Sequence, residues 1–163
     1  MCSRNIKRLL PFIKIEGVVE HGFGRGSKTI GFATANLNSS TSESVRKFLE
    51  SDICKDGIYI GWVGLPNAGG VFKAAISVGN NPTFEDSKDR LLEAHLMDYT
   101  GPDFYDVRIR VLLCAFIRNS SKFESIDELT SAISKDCEFA RGWLTSDPDF
   151  VQARDDPFLS VGN

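Results

Sequence analysis

Histidine is nearly absent from this 163-residue chain, limited to His21 and His95, and its four cysteines, Cys2, Cys54, Cys114 and Cys137, include no C-x-x-C pair. Neither a zinc centre nor a secreted disulfide framework finds its ligands or spacing here. Long apolar runs are also missing: nothing approaches the roughly 20 residues of a membrane span. The stretch Met1 to Leu10 carries Arg4, Lys7 and Arg8 without the apolar centre of a secretion signal. Positive charge is in short supply, 19 Lys and Arg against 22 Asp and Glu for a net charge of -3, which disfavours a general nucleic-acid binder. These absences predict a soluble intracellular protein with neither nucleic-acid nor membrane partners; the expected location is the cytoplasm, with an organellar pool left open, and the expected state a monomer.

What remains is ordinary globular material. With 42% hydrophobic and 25% charged residues the chain can build a packed core, and its length suits one domain spanning 1–163. Glycine is crowded locally: of 14 in the chain, Gly17, Gly22, Gly24, Gly26 and Gly31 fall close together.

The segments alternate between extended runs and turns. Phe12 to His21 reads as a strand, Gly22 to Gly31 as a loop, and Thr34 to Leu37 as renewed extended structure. Val45, Phe48 and Leu49 have helical spacing. Gly57 to Leu65 and Val71 to Val78 flank Pro66-Asn67-Ala68-Gly69-Gly70 as a hairpin, and Arg90 to Asp98 and Val107 to Ile117 complete the strands. Ser125 with Glu128 forms a capping box for a helix whose apolar stripe runs Ile126, Leu129, Ile133, Cys137, Ala140 and Leu144, ending near Asp147-Pro148. The expected fold is mainly β: a six-stranded antiparallel, Greek-key-like barrel over about 12–118, a short connecting helix, and a helical C-terminal part over about 125–158.

Gly22-Phe23-Gly24-Arg25-Gly26-Ser27-Lys28-Thr29 nearly spells a P-loop, but Ser27 replaces an obligatory glycine and the following residues favour a strand over a helix. Alternating glycines still let successive N–H groups form an anion nest, with Arg25 and Lys28 adding charge. A solvated hairpin is the plainer alternative. Thr34 and Asn36, two apart on a strand, share a face and offer neutral hard oxygens suited to Mg²⁺ carried by nucleotide phosphates. In Leu91 to Asp98, alternation puts Leu92, Ala94 and Leu96 on one face and Glu93 with His95 on the other, a wet face on the simplest reading.

The run Gly22 to Lys28 followed by Gly31-Phe32-Ala33-Thr34-Ala35-Asn36 resembles the riboflavin kinase (flavokinase) signature. The resemblance continues through Gly57-Ile58-Tyr59, Ser77 to Phe84, Glu93-Ala94-His95-Leu96, Asp103-Phe104-Tyr105, Arg118 and Lys122-Phe123 to the closing helix. Ala33 stands where that family commonly has proline, Asp106 where it has glycine, and Asn119-Ser120-Ser121 lacks its usual charges. The resemblance implies a monofunctional kinase making FMN and ADP from riboflavin and ATP, with Glu93 as base or positioner for the ribityl hydroxyl. It further implies Mg²⁺, or another divalent ion such as Zn²⁺, at Thr34 and Asn36. The nucleotide side would comprise Gly22, Gly24, Gly26, Lys28, Thr34 and Asn36, joined by Leu96, Asp98 and Tyr105. The flavin side would comprise Arg118, Ser121 and Phe123, although Phe123 equally suits a staple before the capped helix. His95 reads as structural. A flavin or nucleotide carrier without catalysis is the alternative function.

Overall fold

The computed structural model describes residues 6–20, 33–65, 70–80, 90–100, 106–120 and 123–160. Strands β1 (Lys7–Val18), β2 (Ala33–Asn38), β3 (Gly57–Leu65), β4 (Gly70–Asn80), β5 (Arg90–Leu96) and β6 (Arg108–Asn119) form one six-stranded sheet in the order β1-β6-β3-β4-β5-β2. Every pairing is antiparallel. β3, β4 and β5 are successive neighbours and β6 returns beside β3, which is the Greek-key order. The sheet curls until its two edges meet at one point: the Glu20 N–H, just beyond β1, donates to the Asn36 carbonyl of β2 at 2.9 Å. Among the described residues this is a single bridge and not a closed ladder, so the term barrel holds only loosely for this strongly curved six-stranded antiparallel sheet.

β3 is buried along its whole length, and its glycines explain how. A Cβ on Gly61 would stand 1.9 Å from the Leu112 carbonyl oxygen, so only glycine lets β6 lie this close. β1 begins at Lys7, five residues before the predicted start, and a register shift between Arg8 and Ile13 accommodates Pro11 within the strand.

The pleat sorts side chains onto two faces. The inner face, with Ala35, Leu37, Ile76, Val78, Leu92 and Ala94, is fully apolar and is closed by Val45, Phe48 and Leu49 of α1 (Glu43–Glu50). The polar connector before α1 works as a stitch. Ser42 caps the helix and its Oγ donates to the Glu16 carbonyl at 2.7 Å, while Ser44 Oγ donates to the same carbonyl at 2.8 Å.

On the outer face, Ile58, Ile60 and Trp62 of β3 with Leu112 and Cys114 of β6 lie beneath α2 (Ile126–Ser146), α3 (Pro148–Ala153) and α4 (Pro157–Ser160). α2 buries the predicted stripe from Ile133 to Leu144, but Ile126 is 62% exposed, because the helix meets the sheet only from Leu129 onward. The capping box forms with one shift: Ser125 Oγ accepts from the Glu128 N–H at 3.1 Å, whereas the Glu128 carboxylate accepts from Glu124 at 2.9 Å. Asp147 ends α2 and caps α3, with Pro148 at its start, and is itself held by Arg8. Trp62 Nε1–H donates to the Phe150 carbonyl at 2.9 Å, tying α3 to the sheet. Among the described residues no helix is long and apolar enough to cross a membrane.

Candidate active site

Strand register assembles the site. Residues paired directly across neighbouring strands share a face, and the pairs Asn36 with Glu93, Glu93 with Ser77, Ser77 with Ile58, and Ile58 with Arg118 form one outer-face row across β2, β5, β4, β3 and β6. At about 4.8 Å per strand step this row runs roughly 19 Å. The neighbouring row is Thr34, His95, Ala75, Ile60 and Ala115. Four of the predicted residues, Thr34, Asn36, Glu93 and Arg118, therefore lie on one surface, the first three clustered and Arg118 at the far end.

Glu93 is half-buried in the centre of this polar group. Loss of water raises its carboxyl pKa above the ordinary range, and among the described residues no hydrogen bond to its carboxylate offsets that. An unpaired carboxylate with a raised pKa is a competent proton acceptor near neutrality. His95 is not on a wet face. It is 5% exposed, and Thr34 Oγ1 lies 3.1 Å from its Nδ1. Burial lowers its pKa to about 4, opposed only in part by the Asp136 carboxylate, so the imidazole is neutral at physiological pH.

Arg118 is gripped from α2. Its Nε and Nη2 donate to Asp136 Oδ1 and Oδ2 at 2.9 and 2.7 Å, and Asp136 is 2% exposed. This bidentate pair fixes the guanidinium plane at the β6 end of the row. Asp136 was invisible to sequence reasoning, since it interrupts the helix's apolar stripe next to Cys137. A buried carboxylate needs a cation, and Arg118 was the only clue.

The remaining predicted residues divide. Leu96 turns into the core at 2% exposure, so its side chain is not available to a ligand. Asp98 adopts φ 63° just past β5, exposed, with its carboxylate 2.7 Å from Nη1 of Arg141. Phe123 is half-buried before α2. Gly22, Gly24, Gly26, Lys28, Tyr105 and Ser121 lie outside the described residues. Asp106 adopts φ 65°, a conformation that suits the glycine implied there by the resemblance and that aspartate, among the residues most tolerant of the left-handed region, also accepts.

Thr34 and Asn36 fit a hard cation that takes its other ligands from phosphates. They are half-buried neutral oxygen donors on one face of β2, with Glu93 paired directly opposite Asn36. Among the described residues there is no cluster of His, Cys, Asp and Glu that would hold a metal by itself.

The family model described as riboflavin kinase, Flavokinase, matches residues 10–144. The chain belongs to the riboflavin kinase family. The riboflavin kinase of Mus musculus is 36% identical over 154 residues, covering 94% of this chain and 94% of the mouse protein. The bifunctional riboflavin kinase/FMN phosphatase of Arabidopsis thaliana is 37% identical over 90% of this chain, which spans 36% of that longer protein. Among solved structures, riboflavin kinase from Trypanosoma brucei has a TM-score of 0.64 at 26% identity, covering 92% of this chain and 90% of that one. As a riboflavin kinase, the chain has its Glu93, Thr34 and Asn36 within the matched span.

Proposed function

We propose that this riboflavin kinase transfers the γ-phosphoryl group of ATP to the terminal ribityl hydroxyl of riboflavin, with Glu93 receiving the hydroxyl proton. The hydroxyl oxygen forms the new bond to phosphorus, the bond to the β-phosphate oxygen breaks, and FMN and ADP result. The carrying observation is Glu93 itself, a desolvated carboxylate without a hydrogen-bond partner among the described residues, paired across strands with Asn36. Such a group is a weak base toward an alcohol, yet a loose phosphoryl transition state needs only placement and late proton removal.

Thr34 and Asn36 would hold Mg²⁺ through neutral oxygens, and the ion would supply charge stabilisation to the phosphoryl oxygens. On this reading the row runs from a phosphate end, at Asn36 and Glu93, to a ring end at Arg118, and its length supports that division. There the fixed guanidinium plane suits stacking on or hydrogen bonding to a flavin.

The test is Glu93→Gln, assayed by chromatography for FMN after incubation with riboflavin and Mg·ATP. The variant is expected to lose at least about 100-fold in kcat. A loss below tenfold removes Glu93 from the chemistry, and wild-type protein that binds flavin but forms no FMN is a carrier.

A further inference from the structure

Of all the described polar side chains buried outside the proposed chemistry, His95 touches the site most directly. It stands two residues after Glu93 in sequence and one row away on the sheet, between Thr34 of β2 and Ala75 of β4. Its ring is sealed at 5% exposure, and its Nδ1 lies at hydrogen-bonding distance from the half-buried Thr34 hydroxyl, 3.1 Å. A buried imidazole needs a partner for its nitrogens, and a strand threonine needs something to choose between hydroxyl and methyl in its outward rotamer.

We propose that His95 is a positioning residue of the nucleotide end, fixing the rotamer of Thr34 through the Nδ1 to Oγ1 hydrogen bond so that the rest of the hydroxyl faces metal and phosphate. The inference rests on the assignment of Thr34 to that end. If Thr34 donates to Nδ1, both oxygen lone pairs remain for a cation. With the reverse polarity, one lone pair and the hydroxyl proton remain, the proton able to meet a phosphate oxygen. In either case the imidazole acts as a neutral group, and no proton is exchanged in the reaction. A hydrogen bond of ordinary strength biases a two-rotamer choice by about fivefold, which sets the expected scale.

The experiment is a set of variants read by calorimetric Mg·ADP binding, by KM for Mg·ATP and riboflavin, and by thermal unfolding. His95→Leu removes the acceptor and keeps an apolar filling. His95→Asn puts an amide where Nδ1 was, whereas His95→Gln puts it at the reach of Nε2, away from Thr34. Thr34→Val removes the hydroxyl and keeps the shape.

Leu and Gln are expected to weaken Mg·ADP binding about five- to tenfold with riboflavin KM within about twofold, and Asn to recover the wild-type value to within about twofold. In the Thr34→Val background, none of the three should matter further. Should His95→Leu not fold, the contrast between Asn and Gln still decides. Two results overturn the proposal while sparing the site: Thr34→Val weakens binding but Leu and Gln do not, or their effects add fully to that of Thr34→Val. If Thr34→Val itself binds Mg·ADP like wild type, the assignment of Thr34 fails, and the proposal with it.

Discussion

Beneath the helices the outer face of the sheet presents Ile58, Ile60, Trp62, Leu112 and Cys114, whereas on β2 and β5 the same face presents Thr34, Asn36 and Glu93. Both halves obey one pleat, and the rows that cross them are continuous. What differs is the cover. α2, α3 and α4 make one half into a second core, in which full burial stabilises each large aliphatic or phenylalanine side chain by roughly 1.5 to 3 kcal/mol. The half without that apolar packing keeps polar groups partly stripped of water, which costs stability and gives chemistry. His95 and Asp136 sit on the boundary, each buried and each engaged with a residue of the polar rows.

The sharpest way to break this division is to damage the helix-covered half alone. Phe150 is fully buried, packs tilted against Phe12 and edge-on to Trp143 at 5.8 and 6.2 Å between centroids, and carries the carbonyl that Trp62 uses. Phe150→Ala is expected to cost about 3 to 5 kcal/mol in urea unfolding while kcat of the folded fraction stays within about twofold. A large fall in kcat would mean that the two halves are not separable.

Next comes the boundary. Burial holds the His95 pKa at about 4 in the folded chain against an ordinary value of 6.5. Its contribution is therefore complete above pH 6.5 and is lost as pH falls toward 4, where the unfolded chain is protonated and the folded one is not. The expected loss across that window is about 3 kcal/mol. His95→Asn should flatten this part of the stability profile, and a profile as steep as wild type would show that other groups cause it.

The polar half shows the reverse sign. Glu93 has a raised pKa, so its protonated form suits the folded state, and its penalty appears as pH rises from the ordinary carboxylate range through that raised value. Glu93→Gln should raise unfolding stability at neutral pH by about 1 kcal/mol while removing activity, the exchange expected of a strained site. A destabilised Gln variant would indicate that the carboxylate makes a structural bond.

The sequence showed those parts of the molecule that depend on neighbours along the chain. Gly57–Leu65 is a strand at its predicted limits, and the Gly57–Asn80 hairpin, α1 and the buried stripe of α2 follow from alternation, turn residues and helical spacing. The residues of the proposed site, Glu93 among them, come from the resemblance, and the strand register sets Thr34, Asn36 and Glu93 on one face. Cover was not readable. Alternation assigns His95 to the face opposite Leu92, Ala94 and Leu96, but only tertiary packing decides that this face is buried at His95 and more open at Asn36. The pairing of Arg118 with Asp136 joins a strand to a helix, and no local period carries it. The same holds for the bridge from Glu20 to Asn36, through which, among the described residues, the edges of the curved sheet meet.

The smallest expected effect tests where the polar half ends. Asp98 follows β5 with φ 63° and is held by Arg141 of α2, in the part of the chain that the family resemblance assigns to the nucleotide. Asparagine also tolerates the left-handed region, so Asp98→Asn removes the charge and keeps the backbone. An exposed ion pair contributes little, and unfolding stability should change by less than about 0.5 kcal/mol. If Asp98 also meets the nucleotide, KM for ATP should rise about threefold, as expected for one lost hydrogen bond to a partly exposed acceptor, with riboflavin KM unchanged. That is the expected result. An unchanged ATP KM would make Asp98 part of the fastening of α2, and the polar half would then stop at Thr34, Asn36 and Glu93.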